Sequence, residues 1–236
     1  MENNFIHTLC SRPVSESIVA DARAKGVLID CLSFISTEPI ENVEVQQEIE
    51  HALLLDTTVV FTSMNAVEAV AEHLFDEQPA WRIYCIGQTT KQLVEKYFGA
   101  AAVAGTADDA TTLAELIITE EDIDSVVFFC GDQRRDELPG LLVQNNIEVE
   151  EIIVYQTMAV PHQISKKYQG ILFFSPSAVH SFFSVNKAPS ETIFFAIGKT
   201  TAAAIKSFSD NRVLVAAEPG KEKLVALMLD FFTGSN

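Results

Sequence analysis

F-T-S-M-N-A-V at Phe61–Val67 decides the fold, because it closes an apolar run, opens a helical pattern and occurs twice. F-F-S-P-S-A-V at Phe173–Val179 repeats it, and 112 positions separate Ser63 from Ser175. I-G-Q-T-T at Ile86–Thr90 returns as I-G-K-T-T at Ile197–Thr201, with 111 positions between Gly87 and Gly198. The next strand and helix, V-A-G-T-A ahead of Leu113, Ala114 and Leu116, return as V-A-A-E-P ahead of Leu224, Val225 and Leu227. Three successive units in one register amount to an internal duplication. A fainter echo joins Leu9-Cys10-Ser11 to Phe129-Cys130-Gly131, each followed by a helical stretch and then by Gly26 or Asn146.

Working outward, apolar runs recur at Ile6–Cys10, Thr58–Thr62, Ile83–Ile86, Ser125–Cys130, Gly170–Phe174 and Ile193–Ile197. Each leads through a small or hydroxylated residue into a helical pattern, the alternation of a parallel α/β sheet. Shorter strands are expected at Leu28–Leu32, Ala101–Ala104, Glu151–Tyr155 and Arg212–Ala216. The segments around Ser36–Pro39 and Thr157–Pro161 carry turn residues and prolines, and read as the crossings between two copies of one unit. Periodicity alone allows two contiguous halves.

Composition narrows the function. The chain has 236 residues and a net charge of −17, which argues against nucleic acid or an anionic membrane as partner, since both draw on clustered Lys and Arg. No run of about twenty apolar residues marks a membrane span, and the N-terminus lacks the basic and apolar regions of a signal peptide. Cys10, Cys31, Cys85 and Cys130 sit in or beside apolar runs without metal-site spacing, and read as buried, reduced thiols of a cytoplasmic protein. The five histidines are scattered, so no metal is expected. Neither a G-x-S-x-G elbow nor a phosphate-binding glycine loop occurs, and no general acid or base stands out among Asp, Glu and His.

What remains is the set of strand-to-helix junctions. Ser, Thr, Asn and Gly there cap helices whether or not they bind anything. In a parallel sheet, however, all these junctions lie along one edge, where ligands bind, and free helix amides favour anions. A poly-acidic ligand could be held this way without many cations. The basic residues near the junctions are Arg12, Arg134, Arg135 and Lys199.

These residues resemble the uroporphyrinogen-III synthase family. The likeness runs through Phe61–Val70, Ile86–Thr90, C-G-D-Q-R-R-D-E-L-P at Cys130–Pro139, V-Y-Q-T at Val154–Thr157, Phe173–Val179 and A-I-G-K-T-T-A at Ala196–Ala202. Each motif is partly generic, whereas the ordered set is specific. The resemblance implies an α/β fold of two similar domains, each a parallel sheet flanked by helices, joined by a two-strand connection. One domain would take residues 1–36 plus 160–236 and the other 38–157, with hinges near 36–39 and 157–161.

It also implies a cofactor-free lyase that cyclises hydroxymethylbilane to uroporphyrinogen III, with loss of water and inversion of the last pyrrole. The chemistry passes through an azafulvene-like cation and a spiro intermediate. The family's tyrosine falls on Tyr155, expected to donate a hydrogen bond to the leaving hydroxyl. Arg12, Ser63, Asn65, Thr90, Ser175, Ser177, Lys199, Thr200 and Thr201 are the expected substrate contacts. The acetate and propionate groups would rest on the junctions across an interdomain cleft that closes on the substrate. The partner is then a linear tetrapyrrole, with room for a transient contact with the preceding pathway enzyme, and the protein a monomer. The rival reading is a cytosolic two-domain small-molecule binding or sensor protein, since duplicated α/β domains also build clamshell binders.

Overall fold

The computed structural model describes residues 5–74, 78–218 and 220–234; Pro219 of the second V-A-A-E-P copy lies outside them. The chain begins β1 (Ile6–Cys10), α1 (Glu16–Ala24), β2 (Val27–Cys31), β3 (Ile35–Pro39), α2 (Val43–Leu53), β4 (Thr57–Phe61) and α3 (Met64–Ala71). It continues β5 (Trp81–Ile86), α4 (Gln88–Phe98), β6 (Val103–Ala107), α5 (Ala110–Ile118), β7 (Ser125–Gly131), α6 (Glu137–Gln144) and β8 (Glu148–Ala159). It ends β9 (Gly170–Phe173), α7 (Pro176–Val185), β10 (Ile193–Ala196), α8 (Lys199–Lys206), β11 (Val213–Val215) and α9 (Lys221–Thr233). Thr37–Thr157 form one compact unit, and the residues before and after them form the other.

The two sheets carry the duplication. The flanking unit holds the order β11-β10-β9-β1-β2, and the central unit β6-β5-β4-β7-β8, with β3 added beside β8. Matching β9, β10 and β11 to β4, β5 and β6, and β1 and β2 to β7 and β8, makes the two orders identical. The faint echo between Leu9-Cys10-Ser11 and Phe129-Cys130-Gly131 is therefore the likeness of β1 to β7. In the flanking unit β1 pairs with β9 in parallel, Leu9 opposite Ile171, so the beginning and the end of the chain share one sheet.

Both sheets are covered on both faces, which is why the central strands read as unbroken apolar runs. Successive side chains alternate. Phe129 enters one core of the central unit with Phe61, Trp81 and Phe98, while Phe128 enters the other with Leu113, Ile117 and Leu142. Phe194 and Phe195 divide in the same way between the two cores of the flanking unit. Trp81 also satisfies its ring N–H, donating to the Ala52 carbonyl at 2.9 Å.

The segments read as crossings are strands: Ser36–Pro39 lies within β3, and Thr157 lies within the twelve-residue β8. The Ile40 N–H donates to the Val154 carbonyl and the Val160 N–H to the Phe34 carbonyl, both at 2.9 Å, so the two strands run antiparallel. Pro39 is tolerated because β3 is an edge strand ending there, where a missing N–H costs no ladder bond. The strand expected at Ala101–Ala104 begins only at Val103, after a short 3-10 turn over Ala100–Ala102. Finally, Cys10, Cys85 and Cys130 are buried but Cys31 is exposed, because β2 is an edge strand and Cys31 its last residue.

Phe128→Ala removes a fully buried ring from the second core of the central unit. It is expected to cost about 3–5 kcal/mol. Urea unfolding followed through Trp81, the single tryptophan, measures it.

Candidate active site

In each unit the winding direction reverses between two neighbouring central strands, β1 and β9 in one, β7 and β4 in the other. Ligands of open α/β sheets bind outside the carboxyl ends of the strands at such a point. In the flanking unit Ser11 fills part of it: its N–H donates to the Leu172 carbonyl at 2.9 Å and its Oγ accepts from the Phe174 N–H at 3.4 Å. Arg12 follows directly and is exposed. In the central unit Gly131 stands in place of Ser11 and leaves that space to Tyr155.

Each unit then offers two kinds of helix start. Ser63 caps α3, its side chain accepting from the Asn65 N–H at 3.2 Å. Ser175 caps α7, accepting from the Ala178 N–H at 3.2 Å, and Pro176 opens that helix. Ser177 is half-buried in its first turn. By contrast α4 and α8 start from Gly87 and Gly198 with no side-chain cap, so their first-turn amides remain available to an anion. Gly87 needs to be glycine, since its φ is +78°. Lys199 and Thr200 are exposed at the start of α8. Thr90 and Thr201, expected to present hydroxyls to a ligand, are instead 5% and 1% exposed. Their side chains face the sheet because the third position of each helix turns inward, which leaves the ligand edge to the amides and to Thr89 and Thr200.

The central unit also contains a cavity of about 420 Å³. Tyr155 and Asn65 line it together with Tyr97, Glu38, Glu68 and Glu72, and among the described residues no Lys or Arg contributes to its wall. Tyr155 reaches it by lying against the backbone of Gly131. A Cβ on Gly131 would stand 2.3 Å from the Tyr155 ring and 2.7 Å from its hydroxyl oxygen. The ladder between β7 and β8 shifts register after Cys130, which faces Ile153, so that Gly131 rather than Asp132 faces Tyr155. The loop after β7 holds the same strand: the Asp132 N–H donates to the Tyr155 carbonyl at 3.1 Å, and Asp132 Oδ1 accepts from the Thr157 N–H at 2.9 Å. Arg134 is bound to Glu151 and Asp136, which accounts for its charge locally.

The expected site residues therefore separate by unit. Ser63, Asn65, Thr90 and Tyr155 belong to the central one, and Arg12, Ser175, Ser177, Lys199, Thr200 and Thr201 to the other. Gly131, Tyr97, Glu68 and Glu72 were not singled out by the sequence. Gly131 had a signal, a glycine at a strand end before Asp132; the glutamates had none, since they look like the solvated face of α3. Among the described residues no His, Cys, Asp and Glu side chains group as a metal site requires, and no helix is long and apolar enough to cross a membrane.

Fold and site together define a duplicated α/β protein with uncapped helix starts and an acid-walled cavity lined in part by Tyr155. The family model "Uroporphyrinogen-III synthase HemD" matches residues 16–226. The chain belongs to the uroporphyrinogen-III synthase family and is an enzyme of this type. Its fold matches solved structures as well. The uroporphyrinogen-III synthetase of Helicobacter pylori superposes with a TM-score of 0.67 at 16% identity, covering 96% of this chain and 100% of that one. A mutant uroporphyrinogen III synthase from Thermus thermophilus gives 0.60 at 15% identity, with 96% and 97% covered.

Gly131→Ala is expected to displace the Tyr155 ring at a cost of about 1–3 kcal/mol. Most of that cost should vanish when Tyr155 is already Ala. A double-mutant cycle by urea unfolding measures the coupling, and additive losses would show that the ring does not depend on Gly131.

Proposed function

We propose that this chain closes hydroxymethylbilane to uroporphyrinogen III with loss of water, and that the Tyr155 cavity hosts the pyrrole at which positive charge develops. The observation that carries the site assignment is the cavity wall. Among the described residues the wall carries Glu38, Glu68 and Glu72 and no Lys or Arg, so the substrate's acetate and propionate groups are repelled from it while an azafulvene-like cation is favoured. The Tyr155 O–H donates a hydrogen bond to the departing hydroxyl, the carbon–oxygen bond breaks with its electron pair on the oxygen, and the hydroxide takes up a proton from solvent to leave as water. The Gly131 backbone and the Asp132 contacts fix the tyrosine, so little reorganisation is needed at that step.

The carboxylates go to the helix starts. The uncapped first turns of α4 and α8, with Thr89, Lys199 and Thr200 exposed on them, supply amides and a single cation. Ser63 and Ser175 already accept amide hydrogens, which leaves each hydroxyl proton to donate to a carboxylate. Arg12 adds a charge at the edge of the flanking unit. Ring inversion then follows from where the two ends of the substrate are held, since the same linear tetrapyrrole can also close without inversion. We also infer a monomer acting in the cytoplasm: a net charge of −17 opposes self-association, and four free cysteines suit a reducing compartment. Transient contact with the enzyme that supplies the substrate fits the same reading.

A coupled assay starting from porphobilinogen should give predominantly the type III product; folded enzyme yielding only type I would overturn the assignment. Tyr155→Phe is expected to lower kcat about tenfold or more, with the fold intact, for one lost hydrogen bond. Unchanged turnover under chemistry-limited conditions would remove Tyr155 from the mechanism. The Glu68→Gln/Glu72→Gln pair should lower kcat with KM little changed; a rise in KM alone would place these carboxylates in substrate binding.

A further inference from the structure

Cys10 and Cys31 end β1 and β2 directly opposite one another in the parallel ladder. Residues so paired point to the same face, and neighbouring strands lie about 4.8 Å apart. That falls inside the about 4.4–6.8 Å between Cα atoms that a disulfide spans. The register therefore sets the two side chains next to one another at the ends of their strands. Both cysteines are free, but Cys10 is fully buried while Cys31 is exposed.

The pair is thus unequal in the way a peroxide-sensing dithiol requires. The Cys10 thiol holds the Cys31 thiol down, to about 6, against its partial burial; the Val14 amide helps and the Asp30 carboxylate opposes. Asp30 is itself matched by Lys166, whose Nζ lies 2.6 Å from its Oδ2. Cys10 moves the other way, first because Cys31 lies beside it and then because it is buried. Cys31 is then the accessible and more acidic thiol, and Cys10 the buried thiol opposite it in the ladder. The second copy of the unit lacks this arrangement. There Cys130 faces Ile153 across the ladder, and burial raises the thiols of Cys130 and Cys85 to about 11.

We propose that Cys31 and Cys10 form an oxidisable pair that closes to an intrachain disulfide when the protein meets a hydroperoxide. The Cys31 thiolate attacks the peroxide, breaking its O–O bond, and becomes a sulfenic acid while the leaving oxygen is protonated to water. The Cys10 sulfur then attacks the Cys31 sulfur; the S–S bond forms and the hydroxyl departs with the Cys10 proton as a second water. Two thiols are oxidised and one hydrogen peroxide is reduced to two waters. A dithiol reverses the step by exchange. The bond would lie at the strand end that leads into Ser11 and Arg12, on the ligand edge of the flanking unit.

The reduced protein is treated with one equivalent of hydrogen peroxide at pH 7, then alkylated under denaturing conditions and weighed intact. The proposal expects a mass about 2 Da lower before alkylation, two of the four cysteines protected, and a peptide linking Cys10 to Cys31. Dithiothreitol should restore all four thiols. Cys10→Ala should instead accumulate a sulfenic acid at Cys31, about 16 Da heavier and trapped by dimedone, and Cys31→Ser should leave the remaining thiols untouched. Four free thiols after the peroxide is spent, a sulfinic acid on Cys31 of the unaltered protein, or a link between two chains would each overturn it. The readouts are masses, so they stand whatever the enzyme's activity proves to be.

Discussion

Burial of the central strands on both faces is the constraint on which the rest of this structure depends. Phe128 and Phe129, or Phe194 and Phe195, point to opposite cores, and neither core is complete without the helices that follow each strand. Because each helix must return across the sheet to start the next parallel strand, every strand-to-helix junction falls along one edge. The site is a by-product of that geometry. The Ser-capped and Gly-capped helix starts stand at their edges because the cores demand the crossovers, before any ligand is considered.

The duplication explains both the likeness and the differences of the two units. Their strand orders are the same, yet equivalent places have been put to different uses. Where β1 is followed by Ser11, whose side chain closes the space beside β9, β7 ends in Gly131, and the tyrosine ring occupies the room a side chain would take. Where β7 opposes Cys130 with Ile153, β1 opposes Cys10 with Cys31 and sets two thiols side by side. Small residues at the ends of equivalent strands thus separate an apolar contact from a polar or reactive one.

An acidic enzyme acting on an acidic substrate needs to avoid self-defeat. The central unit separates its charges: carboxylates wall the cavity, and the uncapped amides stand at helix starts elsewhere on the edge. Helix amides attract anions without altering net charge, and they cost no side-chain entropy to position. Arg134, which the sequence offers as a spare cation, is taken up by Glu151 and Asp136.

The sequence by itself determined the α/β class, the duplication, nearly every strand and the family, because apolar runs and cap residues are set by local periodicity. It also brought Tyr155 and the Ser and Gly helix starts into view. Tertiary structure alone decided that β1 pairs with β9, that Ser36–Pro39 is strand, and that Thr90 and Thr201 turn inward. The same holds for Gly131 beneath Tyr155, for the glutamates of α3 beside that tyrosine, and for Cys31 exposed against Cys10. Each of these depends on which strands become neighbours and in what register. Such pairing joins residues more than a hundred positions apart or shifts by a single residue at a bulge, and no local pattern in the chain records it.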